Sequence, residues 1–257
     1  MAQRDEIDDE ELVGGEPMTL LEHLIELRNR LTVAAIALLL TTIVSFLFAR
    51  RFINFLTDPA KEAYPNFSLI YNQPMEFLVV FFKVSLLGGI ALGMPILLYE
   101  GLAFVTPALT KQERRWLFPV IIGASLMFLC GMAFAYYVAL PPSLKFLLNF
   151  GEDQAVPLIT VGSYIDFVTR LVLWIGVSFE TPLIIMFFAR LGMVTARQLL
   201  HWWRYAFVAS FIIAAIVTPT IDPVTQSLVA GPIIVLYFMG VVLAKFVGKP
   251  NRFRTAS

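Results

Sequence analysis

The sequence predicts an all-α membrane protein, a bundle of six transmembrane helices with an amphipathic helix at the membrane interface before the first span. Three observations lead to this fold. Of the 257 residues, 58% are hydrophobic and 15% are charged, with a mean hydropathy of +0.78, and a single soluble core of this length cannot bury that much apolar surface. The apolar residues fall in six long runs. The basic residues are unevenly distributed between the connections.

The six runs are long enough for helices that satisfy their own backbone hydrogen bonds in a bilayer. In order they cover residues 31–49, 76–99, 116–144, 171–189, 205–221 and 223–244. The fifth run has about 17 residues, or roughly 25 Å of helix, against a hydrocarbon core of about 30 Å. We therefore expect locally thinned bilayer beside the fifth and sixth spans.

Six spans place both termini on one side of the membrane. That side carries thirteen basic residues, whereas the opposite side has only Arg50, Arg51, Lys61 and Lys145. Basic residues accumulate in cytoplasmic loops, so both termini are predicted to be cytoplasmic in a bacterial-type cytoplasmic membrane. The predicted organisation is an acidic disordered tail at 1–17, a membrane domain at 18–248 and a short basic cytoplasmic tail at 249–257.

The connections on the outer side are long and contain several prolines. Residues 50–74 and 141–162 are predicted to be ordered loops that cap the bundle. The lone Cys130 cannot form an intramolecular disulfide, and His23 and His201 are too isolated to suggest a metal site. No cofactor is expected.

Acidic residues at the cytoplasmic boundary are the first candidate site. Residues 18–31 form the predicted amphipathic helix, on which Glu22 and Glu26 share a face and Arg30 follows Glu26 by four positions. Spacing alone favours an exposed Glu26–Arg30 ion pair of about half a kcal/mol or less. Glu113 stands among basic residues, where it could simply balance charge. Taken together, Glu26 and Glu113 are candidates to bind a paired cation.

Polar residues inside the spans are the second candidate site. Glu180 in the fourth span costs at least about 2.5–3.5 kcal/mol to insert, so it should face the bundle interior or a wet cavity, either as a protonated or paired group or as a docking point. Asp222 is expected to cap the sixth span, and Gln226 one turn later can bond across helices. Lys83 is expected to snorkel outward.

Several short motifs, taken in order, resemble the TatC family, the multispanning subunit of the twin-arginine protein translocase. They are HLIELR at 23–28, PME at 74–76, FVTPAL at 104–109, ERR at 113–115, FAYY at 134–137, VSFE at 177–180 and TP at 218–219. The resemblance runs from about residue 18 to 248. The chain departs from the family at Glu100 and Leu102, where Gln and Trp are common.

The resemblance implies a receptor for folded proteins whose signal peptides carry two consecutive arginines. It assigns the signal-peptide site to Glu26 and Glu113, lined by His23, Arg28, Phe104, Pro107 and Leu109. A carboxylate suits such a ligand because a guanidinium presents a planar fork of donors. The family further implies single-span partner subunits of the TatA and TatB type docking near Glu180, Asp222 and Gln226, a homo-oligomer within a larger complex, and export driven by the proton gradient.

An ion- or proton-coupled small-solute transporter is the alternative, with Glu180, Arg170 and Lys83 as a relay. An intramembrane hydrolase is disfavoured, because the sequence has no HExxH or GxSxG motif and no histidine within a span. The chain is therefore not expected to be an enzyme, and nothing in it points to nucleic acid.

Overall fold

The computed structural model describes residues 20–63, 68–105, 117–149, 158–218 and 222–248. The tails predicted at 1–17 and 249–257 lie outside these ranges. The helices, in chain order, are α1 (Leu20–Phe46), α2 (Ala49–Ala63), α3 (Glu76–Val105), α4 (Leu117–Phe134), α5 (Leu140–Asn149), α6 (Val161–Ser178), α7 (Thr181–Arg190), α8 (Ala196–His201), α9 (Trp203–Val217) and α10 (Pro223–Val247).

The all-helical membrane fold is confirmed. Five helical stretches of the described chain are long and apolar enough to cross a bilayer, namely α1, α3, α4 continued by α5, α6 continued by α7, and α10. The fifth predicted span, α9, is apolar but has only 15 residues, or about 22 Å. This agrees with the short fifth run in the sequence.

The predicted interfacial helix is not separate from the first span. Residues 20–46 form one continuous helix, because this stretch contains neither glycine nor proline to interrupt it. Its 27 residues extend about 40 Å, roughly 10 Å more than a hydrocarbon core. The charged N-terminal turns therefore project past the apolar layer.

Helix α1 packs mainly against α3. Small residues allow the backbones to approach closely, since a Cβ on Gly88 or Gly89 would collide with Ser45 or Thr42. The start of α1 meets the end of α3. We call this end of the bundle the proximal end and the opposite one the distal end.

The first distal connection is not the predicted loop but contains helix α2. This helix buries Ile53, Leu56 and Ala60 against the bundle and exposes its charged residues. The sequence pattern did not predict this helix, because Pro59 lies inside it and its composition is polar. Pro59 has no N–H for the carbonyl of Phe55.

Two tyrosine hydroxyls attach α2 to the bundle. Tyr136 donates to the carbonyl oxygen of Phe55 at 2.7 Å, and Tyr164 donates to that of Leu56 at 2.7 Å. The Tyr136 hydroxyl replaces the N–H donor that Pro59 lacks. The ring of Tyr136 also stacks on Phe55, with centroids 4.1 Å apart.

The second predicted distal loop, 141–162, is also partly wrong. The third span continues through a π-helical turn, Ala135–Ala139, into α5, which ends at Asn149. Pro141 and Pro142 lie in the first turn of α5 and have no N–H. In the turn before them the backbone hydrogen bonds span five residues instead of four. The Leu140 N–H donates to the carbonyl oxygen of Ala135.

A carboxylate ties the two distal connections together. Strand β1 (Leu69–Ile70) pairs in parallel with β2 (Ile159–Thr160). Beside this pair Glu76 accepts the Asn72 N–H through Oε2 at 2.9 Å and the Gly162 N–H through Oε1 at 2.7 Å. The described distal connections are therefore ordered caps, as predicted, although they are largely helical.

Candidate functional site

The proximal end holds a groove of about 410 Å³ between α1 and α3. Its walls are Glu22, Ile25, Glu26, Asn29, Arg30, Val33 and Glu100. All but Glu100 come from α1, at the helical spacing expected for one face. Three carboxylates and one guanidinium therefore share one small, partly enclosed space.

Arg30 lies between two of these carboxylates. Its Nη2 is 3.4 Å from Glu26 Oε1, and its Nη1 is 3.1 Å from Glu100 Oε2. The first contact is the i,i+4 ion pair predicted from the sequence. The second joins α1 to α3 and was not predicted. The exposed fractions of the side chains are 33% for Arg30, 20% for Glu26 and 10% for Glu100, so solvent screens the Glu100 carboxylate least.

Glu26 retains an unused acceptor. Its Oε2 is buried and receives no hydrogen bond from any residue that the structure describes. A buried carboxylate oxygen without a donor carries an unmet desolvation cost. The groove can therefore accept one further donor from a cation that enters it.

An aromatic contact joins α1 and α3 at the same end of the bundle. The rings of His23 on α1 and Phe104 on α3 stack with centroids 4.3 Å apart and planes 26° apart. This brings two of the predicted site residues together, and His23 lies about one helical turn before Glu26 on α1. Phe104 stands one residue before the end of α3.

Arg28 is the predicted site residue that the structure places elsewhere. It lies on a different face of α1, along a shallow apolar groove with Leu24, Leu27 and Leu31. Its guanidinium donates to the neighbouring Asn29 Oδ1 at 3.3 Å. The other three predicted site residues, Pro107, Leu109 and Glu113, lie outside the described residues.

Glu180 occupies a break between α6 and α7. It precedes the first residue of α7 and is 5% exposed, and its Oε1 is buried without a hydrogen-bond partner within the described ranges. The break follows from Pro182, which has no N–H for the carbonyl of Ser178. The interior position agrees with the expectation for a membrane carboxylate.

The start of α10 behaves as predicted. Asp222 caps this helix by accepting the Thr225 N–H at 2.6 Å, with Pro223 in the first helical position. Gln226 follows one turn later and is half-buried. Its backbone N–H donates to the Asp222 carbonyl at 3.2 Å.

Lys83 does not snorkel outward. Its ammonium pairs with the carboxylate of Asp166 on α6, so the prediction for Lys83 was wrong. The pair joins α3 to α6 near their distal ends. Its partner is neither Glu180 nor Arg170, and the relay required by the transporter alternative is not formed.

Sequence reasoning missed Glu100 and Asp166, each of which forms an ion pair between two helices of the described chain. Both acids lie near a helix end, and each pairs with a base on another helix. Glu100 was noticed only as a departure from a family pattern, and Asp166 precedes the apolar run assigned to the fourth span. A search for acids and bases at matching depths in different spans could have found both pairs.

Comparisons with known proteins agree on one family. Residues 22–232 match the family model described as Sec-independent protein translocase protein (TatC). The chain is 40% identical to the chloroplastic TATC protein of Arabidopsis thaliana over 93% of this chain and 70% of the relative. It is 37% identical to the TatC protein of Aquifex aeolicus over 91% of this chain and 98% of the relative.

A solved structure supports the same relationship. The crystal structure of the twin-arginine translocase receptor TatC is similar to this fold with a TM-score of 0.80 and 38% sequence identity. The match covers 88% of this chain and 99% of the solved one. At this identity, both the sequence and the arrangement of helices are shared.

Proposed function

The chain belongs to the TatC family of Sec-independent protein translocase proteins, and on that premise we propose that it is the receptor and core subunit of a twin-arginine translocase. Its ligands are the signal peptides of folded proteins that carry two consecutive arginines. The single observation that carries this proposal is the proximal groove, where Glu26 has a buried carboxylate oxygen with no donor in the described part of the chain.

The chemistry of the groove suits a guanidinium. The Arg30 side chain already bridges two carboxylates there, which supports a preference of this groove for the planar guanidinium of an arginine. A second guanidinium can use Glu26 Oε2, and one face of it can lie against the stacked rings of His23 and Phe104. Lysine offers no fork and stacks less well.

Glu113 supplies the second carboxylate of the proposed site. The segment that contains it follows Val105 at the end of α3 and leads to α4. Pro107 and Leu109 belong to the same segment, and Arg28 lines the neighbouring apolar face of α1. In this proposal Glu26 and Glu113 each take one arginine, while the apolar residues contact the hydrophobic part of the signal.

Glu180 and the start of α10 are the proposed docking region for single-span subunits of the TatA and TatB type. A buried carboxylate without a partner within the described ranges is rare in a membrane and offers a hydrogen bond to a polar residue of an incoming helix. Gln226 adds an amide, and Asp222 holds the start of α10 in place. Assembly of several copies in a larger complex belongs to the same proposal.

The chain is a multi-pass integral membrane protein. We propose a bacterial-type cytoplasmic membrane with both termini in the cytoplasm, because of the excess of basic residues on that side. The acidic tail at 1–17, the membrane domain at 18–248 and the basic tail at 249–257 complete the proposed organisation. The protein acts as a receptor and not as an enzyme, and the proton gradient drives export.

A peptide-binding measurement tests the receptor function. The full chain in nanodiscs is titrated with a fluorescent twin-arginine signal peptide and with the same peptide carrying paired lysines. We expect a clear preference for arginine. A charge-assisted bond worth about 1.5–3 kcal/mol corresponds to a roughly 10- to 100-fold loss of affinity in Glu26→Gln and in Glu113→Gln.

The matched control is Asp58→Asn. Asp58 also forms a helical ion pair, with Lys61 at 2.9 Å, but on the exposed surface of α2 at the distal end. This variant should bind the peptide like the wild type. Equal affinity for the arginine and lysine peptides, or full affinity in both glutamate variants, would contradict the proposed receptor site.

A further inference from the structure

Arg30 occupies the groove that the proposed function assigns to a foreign arginine. It is a guanidinium, as is the proposed ligand, and it contacts the same carboxylate, Glu26, through Nη2. Unlike a ligand, it also contacts a second carboxylate, Glu100, which lies on α3. The two contacts use different nitrogens, so one can be lost while the other remains.

We propose that Arg30 is a resident competitor for the signal-peptide site and that Glu100 is the positioning residue which holds Arg30 when a signal arginine takes Glu26. The inference rests on the proposed function and deepens it. Before binding, Arg30 partly neutralises Glu26. On binding, the incoming guanidinium takes both oxygens of Glu26, the open Oε2 and the Oε1 that Nη2 of Arg30 contacts, and Arg30 stays on Glu100 through Nη1.

The geometry favours this order of exchange. The Arg30–Glu100 contact at 3.1 Å is shorter than the Arg30–Glu26 contact at 3.4 Å. The Glu100 side chain is also less exposed than that of Glu26, at 10% against 20%, so water competes less for the Glu100 contact. The weaker contact of Arg30 is therefore the one on the carboxylate that the ligand needs.

Glu100 has a second effect on the bound state. Once displaced from Glu26, Arg30 would leave a positive charge close to a doubly charged peptide, and like charges at this distance repel. The Glu100 carboxylate compensates that charge. Without it, Arg30 would hold Glu26 more tightly in the free protein and repel the peptide in the bound protein.

The two residues thus have opposite expected effects on affinity. Removing the competitor in Arg30→Gln should strengthen twin-arginine peptide binding by roughly fivefold, the scale of a partly exposed ion pair. Removing the positioning carboxylate of Arg30 in Glu100→Gln should weaken binding by about the same factor. In the double variant the Glu100 substitution should have little effect, since its action passes through Arg30.

The experiment measures the affinity of the same fluorescent peptide for the full chain in nanodiscs, for the wild type, both single variants and the double variant. Arg30→Lys is added because it keeps the charge but loses the fork that reaches two carboxylates. It should strengthen binding by less than Arg30→Gln does. The midpoint of thermal unfolding of each variant is recorded beside its affinity. If Arg30→Gln has a lowered midpoint, Arg30→Lys takes its place in the comparison.

Two results would overturn the inference. Weaker binding in Arg30→Gln would mean that Arg30 orders Glu26 for the ligand and does not compete with it. An equal loss from Glu100→Gln with and without Arg30 would mean that Glu100 contacts the peptide itself or acts only on the fold. If the wild type fails to prefer paired arginines over paired lysines, the receptor function itself fails. If that preference is present but Arg30→Gln does not raise affinity, only the present inference fails.

Discussion

The hydrogen bond between Tyr136 and α2 gives the sharpest test of how the distal end is held. Pro59 leaves the carbonyl of Phe55 without its helical donor, and the Tyr136 hydroxyl supplies one at 2.7 Å. Tyr136→Phe removes this donor but keeps the ring that stacks on Phe55. The substitution therefore tests the hydrogen bond while leaving the ring packing in place.

The magnitude follows from the environment of the carbonyl. Tyr136 is 8% exposed, whereas the Phe55 side chain is 45% exposed, so headgroup water can reach part of the site. A bond of this kind contributes about 1 kcal/mol, and an unsatisfied buried carbonyl costs about 1–3 kcal/mol. We expect Tyr136→Phe to lower the free energy of unfolding by about 1–2 kcal/mol. At this chain length that corresponds to about 2–8 °C in Tm.

A double-mutant cycle checks the cause. Pro59→Ala restores an N–H that can donate to the carbonyl of Phe55 within α2. In that background Tyr136→Phe should cost about 1 kcal/mol less than it does in the wild type. The assay is thermal or denaturant-induced unfolding in detergent micelles, followed by circular dichroism. Equal losses in the two backgrounds would refute the argument that the hydroxyl replaces the donor missing at Pro59.

Three further predictions concern other contacts, each measured as Tm in micelles. Glu76→Gln should lower Tm more than Glu62→Gln on the exposed face of α2. The Asn72 and Gly162 N–H groups bond different oxygens of Glu76, whereas an amide has only one acceptor oxygen. Equal shifts would contradict this. Lys83→Met alone should lower Tm, and adding Asp166→Leu should recover much of the loss, because removing one partner leaves an unpaired charge in the bundle; strictly additive losses would argue against the pair. Asp222→Ala should cost about 1 kcal/mol through loss of the cap on α10, and an unchanged Tm would count against that role.

Features that depend on one helix were predictable from the sequence. The Glu26–Arg30 contact follows from a spacing of four residues, and the Asp222 cap follows from its place before Pro223. The apolar runs gave the spans because burial in lipid needs only composition and length. In each case the interacting groups are fixed by local geometry.

Features that depend on the register between helices could not be predicted in this way. Glu100 meets Arg30 only because α1 and α3 pack closely and antiparallel, and Asp166 meets Lys83 only because α3 lies against α6. A single sequence contains no measure of that register. Helix α2 was missed for a different reason, since the partner that compensates for Pro59 is Tyr136, which lies 81 positions from Phe55.

The π-helical turn at Ala135–Ala139 has a consequence for the length of the third span. Each residue of an α-helix turns the next side chain by about 100°, and a π turn holds one residue more than an α turn. That surplus residue aims Leu140, Leu144 and Leu148 at the core that also contains Ala135 and Tyr136 of the turn itself. Shortening the turn by a single residue would rotate these three leucines away from that core and toward lipid. Residues can therefore be removed from this span only near its ends, where no buried side chains follow that would be rotated.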